Sequence, residues 1–454
     1  MKARIDLQGV LDADRAHVWH PYTPMDDWRE HHDPLVVVAA EGPHLILESG
    51  ARVLDGNASW WVSTLGHNHP RLVSALKKQA ETLCHCALAG IVHPPAALLA
   101  KELAEVAPKG LTQVFFSDDG STAIEAAVKM ALQYFVQRSG SSVTRTKKTR
   151  FLALEGAFHG ETIGATSLGG VELFRRPFAS VLFDCVHVPT PAFDAGGCAP
   201  SWGEAFDSIA QVIEREHSSI AGVVLEPIVQ GAAGMRMYSP SYLRAVRDLC
   251  DRHDVLLIVD EVFTGYGRLG SMWGCDLAEV VPDLMCVAKG FTGGVLPMAA
   301  TLATEKILRA FDGGRDRAFL YGHSFCGNPL GAAVAREVLA VYRDEPIVSG
   351  VAVRHQAITA AFERMRASPV SSRIVADVRA LGIIGAADLR SGDEHGYTAS
   401  IGWRVYREAR ERGAYLRPMG DLVYVAPPLN IPLAYLDRLL AILEESVEAV
   451  ARSA

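Results

Sequence analysis

Nothing in these 454 residues marks a membrane span, a nucleic-acid arm or a disulfide scaffold. No apolar run approaches the roughly 20 residues that a membrane-crossing helix requires. Residues Met1 to His20 carry charges throughout and lack the apolar core of an export signal. Eight cysteines are too few to staple a chain of this length. Cys250 and Cys286 stand in apolar contexts and read as small core residues. Cys84-His85-Cys86 offers metal-ligand side chains, but no second pair follows at finger-like spacing, so no metal is expected. The formal charge is only −8, and Lys and Arg are scattered. The densest basic stretch, Arg145-Thr146-Lys147-Lys148-Thr149-Arg150, reads as a solvated loop, not a nucleic-acid footprint. Repeats and low-complexity tracts are also missing. What remains is the expectation of a cytoplasmic protein without membrane or nucleic-acid partners.

What is present is a large apolar content, 49%, enough for a sizeable core and two or three domains. Strand-like and helix-like runs alternate through the middle of the chain. Val114–Ser117, Phe151–Leu154, Gly222–Glu226, Val255–Asp260, Leu284–Lys289 and Pro297–Thr304 read as strands. A helix after the Asp118-Asp119-Gly120 turn has apolar positions at 124, 127, 128, 131, 132 and 135, with Thr122 and Glu125 matching a capping box. A second helix is expected over Ser241–His253. This alternation predicts an α/β fold with a mainly parallel sheet. Residues 35–62 read as a hairpin region, and the chain beyond about 335 as helices with strands at Ile383–Asp388 and Leu422–Val425. The expected organisation is a large domain over 66–334 and a smaller α+β domain built from 1–65 and 335–454. Loops are expected at 189–200 and 311–315.

Two strand ends carry the chemistry. One apolar run closes in Asp260-Glu261, another in Lys289, and ligands of open α/β sheets sit beyond such carboxyl ends. An amine and a carboxylate sharing one pocket suit pyridoxal phosphate, whose aldehyde takes the lysine and whose pyridinium nitrogen faces the acid. Gly120-Ser121-Thr122 opens a helix directly after a strand, an anion site by virtue of free N–H groups and the helix dipole. Standing alone it would be an ordinary helix start. Phe158-His159-Gly160-Glu161 places an aromatic ring at a strand end, either for stacking on a cofactor or as core. Gly265-Tyr266-Gly267-Arg268-Leu269-Gly270 has the form of a dinucleotide fingerprint. The following strand ends in Lys289 rather than an acid and no helix pattern succeeds it, so a mobile loop carrying Arg268 is expected instead. Arg268 and Arg417 are candidates for gripping a substrate carboxylate, or plain surface arginines. Trp60-Trp61, preceded by His20-Pro21-Tyr22-Thr23, is either core or the lining of an aliphatic channel.

Taken in order, these motifs resemble the class III, fold-type I aminotransferases that depend on pyridoxal 5'-phosphate. Ile258-Val259-Asp260-Glu261-Val262 and Ala288-Lys289-Gly290-Phe291-Thr292-Gly293-Gly294 carry the resemblance, with 289 − 260 = 29 residues between acid and amine. His20-Pro21-Tyr22-Thr23, Ser59-Trp60-Trp61, Glu226-Pro227-Ile228-Val229-Gln230-Gly231, Gly234-Met235-Arg236-Met237-Tyr238, Val378-Arg379-Ala380-Leu381-Gly382 and Leu416-Arg417-Pro418 are similar to the branch of that class acting in biotin synthesis. The similarity runs from about residue 17 to about 445.

The resemblance implies that Lys289 anchors the cofactor and that Asp260 pairs with its ring nitrogen. Phe158 lies over the ring, with His159 beside it. Gly120 and Ser121 bind the phosphate, helped by His323 and Ser324 from the other subunit of a homodimer. Tyr22, Trp60, Trp61, Phe158, Gly322 and Arg417 shape the substrate pocket, with Arg268 assisting, and Glu161 supplies a nearby acid. The reaction implied is transamination of 8-amino-7-oxononanoate to 7,8-diaminononanoate, with S-adenosylmethionine as amino donor. Phe158 stands where that branch commonly has a tyrosine, Glu161 where it has aspartate, and His323-Ser324 where Pro-Thr is common. These departures leave lysine open as donor. Rival readings are another class III ω-aminotransferase acting on ornithine, β-alanine or a similar amine, an isomerase or decarboxylase of the same fold, and a non-catalytic binder of the cofactor, against which the joint presence of Lys289, Asp260 and Gly120-Ser121 argues.

Overall fold

Seven strands form the central sheet. Across it they run Leu111–Ser117, Ala299–Thr304, Leu284–Val287, Leu256–Asp260, Ile220–Leu225, Arg150–Leu154 and Cys185–Val188. Only Ala299–Thr304 is antiparallel to its neighbours, so the sheet is mainly parallel, as the alternation of elements predicts. The computed structural model describes residues 6–30, 33–140, 146–191, 203–392 and 396–453. Residues 192–200 of the expected 189–200 loop, with Arg145 of the basic stretch, lie outside them.

Both faces of the sheet are covered, which explains why its strands read as unbroken apolar runs. The helix Gly120–Arg138 lies on one face with Ile124, Ala127, Val128, Ala131 and Phe135 buried as the spacing predicts. It also buries Ala123, Ala126, Met130 and Tyr134, so nearly its whole circumference is core. Its start differs from expectation. Asp119 is the N-cap: its side chain accepts from Thr122 N at 2.9 Å, and Thr122 Oγ1 receives Asp119 N at 3.0 Å. Glu125 takes no part in the cap and instead accepts from Gly164 N at 2.9 Å. Asp119 and Thr122, three residues apart, are both capping-competent, and the cap falls at the first of them.

The basic stretch is not a solvated loop. Lys148 Nζ donates to the carbonyls of His217, Ile220 and Asp254. Arg150 opens a strand and pairs with Asp184 and Glu216. Lys148 closes off carbonyls at the end of the sheet and Arg150 pairs with two carboxylates there, structural duties that composition does not reveal.

The two ends of the chain meet. Val37–Glu41, His44–Leu47 and Arg52–Asp55 form an antiparallel meander, and Ala414–Tyr415 adds to it in parallel with Leu54 and Asp55. A second sheet pairs Val375–Leu381, Ile384–Leu389 and Leu422–Val425. Between its first two strands Gly382 turns with φ +59°, and a Cβ there would stand 2.2 Å from Arg268 O. That carbonyl accepts Ile383 N at 3.1 Å, so this turn is clamped onto the 265–270 loop. Gly382→Ala is therefore expected to destabilise the protein by about 2 kcal/mol or more, because it combines a left-handed Cβ with a backbone clash. Scanning calorimetry should show the melting temperature fall, and an unchanged melting temperature would contradict the clamp.

Candidate active site

Register brings the two chemical groups together. Asp260 is paired with Cys286 on the adjacent parallel strand, and Lys289 follows Cys286 by three positions, just past the strand end. The strand stops at Val287, and Lys289 itself starts a tight turn with φ 47°. Asp260 and Lys289 line one cavity of about 420 Å³, together with Gly120, Ser121, Phe158 and Glu226.

Burial sets the electrostatics. Desolvation pulls the Lys289 amine down to about 8, against the opposing pull of Asp260 and Glu226. Its Nζ lies 5.0 Å from the centroid of the Trp61 ring. Asp260 Oδ1 accepts Val262 N at 3.0 Å, and Oδ2 lies 2.8 Å from His159 Nδ1, so both carboxylate oxygens are fixed. Glu226 is also buried. Burial pushes its carboxyl up to about 7, although Phe158 N and Gly231 N both donate to it.

Opposite this acid–amine pair lies the start of the Gly120–Arg138 helix. Asp119 caps Thr122 N, which leaves the first helical N–H groups, of Gly120 and Ser121, facing the cavity. A Cβ at Gly120 would sit 2.9 Å from Val262 Cγ1, so only glycine lets the helix start approach the Asp260 strand. Ser121 Oγ is held by Glu161 N at 3.1 Å.

Aromatic rings lie next to the cavity: Phe158 in its lining meets Phe174 edge-on, and Phe174 meets Tyr22. The Tyr22 hydroxyl donates to Glu161 Oε1, and the Tyr22 ring meets Trp60 edge-on at 5.5 Å. Arg417 lies between two indoles, its guanidinium carbon 4.9 Å from the Trp60 centroid and 5.6 Å from that of Trp403. No carboxylate pairs with that guanidinium among the described residues. Ala58, Ser59, Trp60 and Trp61 all have positive φ, from 45° to 73°. This left-handed turn costs about 1–2 kcal/mol per residue. It is tied down by Ser59 Oγ donating to Asp55, Asn57 Nδ2 donating to Tyr424 O, and Trp61 Nε1 donating to Tyr424 Oη.

Seven sequence-predicted residues, Trp61, Gly120, Ser121, Phe158, His159, Asp260 and Lys289, line one cavity, while Tyr22, Trp60, Glu161 and Arg417 lie outside its lining. Arg268 joins neither group. It is fully buried behind the wall, donating to the carbonyls of Ala426, Pro427 and Trp61. Neither a mobile loop nor a free carboxylate grip describes it. Its three carbonyl acceptors satisfy the buried guanidinium and brace the Trp61 turn. In its own chain His323 lies beside Asp118 at 3.0 Å, while Gly322 and Ser324 are exposed and outside the cavity lining. Glu226 was quoted only as part of a motif. Its position at the end of the Ile220–Leu225 strand, as Asp260 ends its own, was the available signal.

The profile of the family described as Aminotransferase class-III matches residues 26–447. The chain belongs to the class III aminotransferases. It is 38% identical over 456 residues to the adenosylmethionine-8-amino-7-oxononanoate aminotransferase of Geobacter sulfurreducens, covering 98% of each chain. The crystal structure of the like-named protein of Methanocaldococcus jannaschii superposes with a TM-score of 0.91 at 33% identity, covering 98% of this chain and 99% of that one. An amine transaminase from an uncultivated Pseudomonas species, in its PLP-bound internal aldimine form, gives 0.85 at 30% identity over 95% and 98%. Class III aminotransferases use pyridoxal 5'-phosphate. This cavity suits it, with a buried amine of lowered basicity, a fixed buried carboxylate and an open helix N-terminus. No helix among the described residues is long and apolar enough to cross a membrane.

The buried amine has a thermodynamic signature. Its folded pKa, about 8, lies below the ordinary lysine value of 10.5, so between about pH 8 and 10.5 the unfolded chain holds a proton that the folded chain has lost. Stability therefore rises with pH across that window. In cofactor-free protein, the wild type should gain on Lys289→Met by a few kcal/mol over this range, as read by urea unfolding at a series of pH values. A difference that stays flat would mean the amine is not desolvated.

Proposed function

We propose that this aminotransferase moves an amino group from S-adenosylmethionine to 8-amino-7-oxononanoate, giving 7,8-diaminononanoate for biotin synthesis. The observation that carries the reading is the chain-long similarity to relatives named for that substrate pair. Arg417 supports it: it is a cation without a carboxylate partner among the described residues, stacked on the Trp60 indole, while Lys289 lies against the neighbouring Trp61 ring. A long amino-keto acid needs such a layout, with its carboxylate on the guanidinium, its methylenes against Trp60 and Trp61, and its ketone toward the amine.

Pyridoxal phosphate, when bound, supplies an aldehyde that takes up the amino group and a ring that receives the electron pair released at Cα. The residues do the rest. Near neutral pH a good fraction of Lys289 is unprotonated, so its Nζ serves as nucleophile and then as the base that removes the donor's Cα proton. In the reverse half-reaction the same nitrogen delivers a proton to C7 of the acceptor. Asp260, its orientation held by His159 and Val262 N, keeps a proton on the pyridine nitrogen. Phe158 packs against the ring. Gly120 and Ser121 hold the phosphate through N–H groups and the Ser121 hydroxyl. Tyr22, fixed by Glu161, closes the mouth of the pocket.

The working unit of this reading is a homodimer in which Gly322 and Ser324 of a second copy complete the phosphate and substrate sites, while His323 stays with Asp118 of its own chain. Leu320, Val92 and Phe325 are 87%, 84% and 58% exposed. His85 contacts Phe325 at 4.7 Å, joining their segments into one apolar surface. The two-part organisation, 66–334 with a smaller unit of 1–65 and 335–454, belongs to the same proposal.

Phe158 supports a second reading for the donor. It offers no hydroxyl toward the pocket, which suits lysine as well as a sulfonium donor. Purified protein with pyridoxal phosphate should form 7,8-diaminononanoate from S-adenosylmethionine with ping-pong kinetics. Product formed only with lysine would overturn the donor. Turnover with pyruvate or 2-oxoglutarate as acceptor, but none with 8-amino-7-oxononanoate, would overturn the reaction. Arg417→Ala should raise KM for 8-amino-7-oxononanoate by roughly 10- to 100-fold, the loss of a charge-assisted hydrogen bond. KM for an acceptor lacking the carboxylate should stay within about twofold. Lys289→Ala should lose both the visible colour of the bound cofactor and turnover.

A further inference from the structure

The sequence offers Cys84-His85-Cys86 no second ligand pair, yet the fold gathers a different set of ligand atoms close by. Asp118, at the end of the Leu111–Ser117 strand, meets His323 and Cys326, which sit at a His-x-x-Cys spacing on the 321–327 loop. One carboxylate oxygen, one imidazole nitrogen and the thiol sulfur lie within 4.8 Å of one another. We propose that Asp118, His323 and Cys326 form a binding site for a divalent cation of the zinc class, tying the 321–327 loop to the Asp118-Asp119-Gly120 turn.

Four observations carry this. First, the donor set of one thiolate, one imidazole and one carboxylate matches the N/S/O preference of zinc, leaving a fourth tetrahedral position for water. Second, Asp118 Oδ1 and His323 Nδ1 are buried atoms without a hydrogen-bond partner among the described residues. The imidazole and carboxylate lie 3.0 Å apart without the geometry of a hydrogen bond. Buried polar atoms left in this way call for an occupant. Third, the other ring nitrogen is already engaged: His323 Nε2 lies 2.9 Å from Tyr321 Oη. With Nε2–H donating there, the lone pair of Nδ1 points to the cluster, which is how metal-bound histidines are oriented. Fourth, Cys326 Sγ accepts His323 N at 3.1 Å, which fixes the sulfur against the base of the imidazole. Binding releases the thiol proton to solvent and leaves the metal divalent, with no redox change.

The ion would act at a particular place. Asp118 borders the cavity that begins with Gly120 and Ser121, and the loop it pins carries Gly322 and Ser324. The proposal does not depend on the identity of the substrates.

The test is metal binding to the intact holoenzyme. After chelation and dialysis against zinc ions, elemental analysis should find about one zinc per chain. Cobalt ions in its place should give the near-ultraviolet charge-transfer band of a thiolate–cobalt bond, read as a difference spectrum against the metal-free holoenzyme. Cys326→Ser should abolish that band. Tyr321→Phe, which keeps every ligand, should weaken binding by about tenfold. A Cys84→Ser, Cys86→Ser double variant should bind as the wild type does. The proposal fails if no metal is retained, if the band survives Cys326→Ser, or if the Cys84/Cys86 double variant loses it.

Discussion

An amine and a carboxylate buried at the ends of two neighbouring parallel strands set the terms for the rest of the molecule. Lys289 cannot be solvated where it lies, so its basicity falls, and Asp260, buried beside it, needs hydrogen-bond partners. The surrounding structure supplies them: His159 and Val262 N on Asp260, and the Trp61 ring face near the lysine nitrogen. The sheet edge is thereby committed to one polarity, with an acceptor on one strand and a weakened base on the next. A rigid parallel sheet is the right support for it, because register alone fixes the lateral offset of the two groups.

The walls of the cavity are held in another way. Four successive non-glycine residues from Ala58 to Trp61 adopt left-handed backbone, and Lys289 and Tyr22 do the same nearby. Such conformations persist only where neighbours over-determine them. The neighbours here come from distant parts of the chain. Arg268 accepts no role in the pocket but donates to Trp61 O and to two carbonyls at 426–427, and Tyr424 receives the Trp61 indole N–H. The indoles are thus presented to the cavity by strain that the loop arginine and the 422–425 strand keep in place.

Much of this was legible beforehand. Strand ends announce themselves by an apolar run that stops at a charged residue, and that signal leads to Asp260 and Lys289, which the fold brings to one cavity. The same rule applied to Leu225-Glu226 would have flagged a third buried carboxyl. The capping frame at Asp119 was ambiguous because Asp119 and Thr122 are both good cap residues. Arg268 was misread because a fully buried arginine and a flexible surface one look identical in sequence; only the positions of three carbonyls distinguish them. The left-handed turn at Trp60-Trp61 left no trace at all, since none of its residues favours positive φ.

The pairing of Leu54 and Asp55 with Ala414 and Tyr415 has a further meaning for how this protein is made. Asp118, Gly120, Asp260 and Lys289 have all left the ribosome while the partner strand of the meander is still untranslated. The strand ends that carry Asp260 and Lys289 are therefore synthesised well before Arg417 and Tyr424. The meander can take up its parallel edge only after residue 415 has been made, so this end of the fold, and the Tyr424 contacts that hold the Trp61 turn, come late in synthesis.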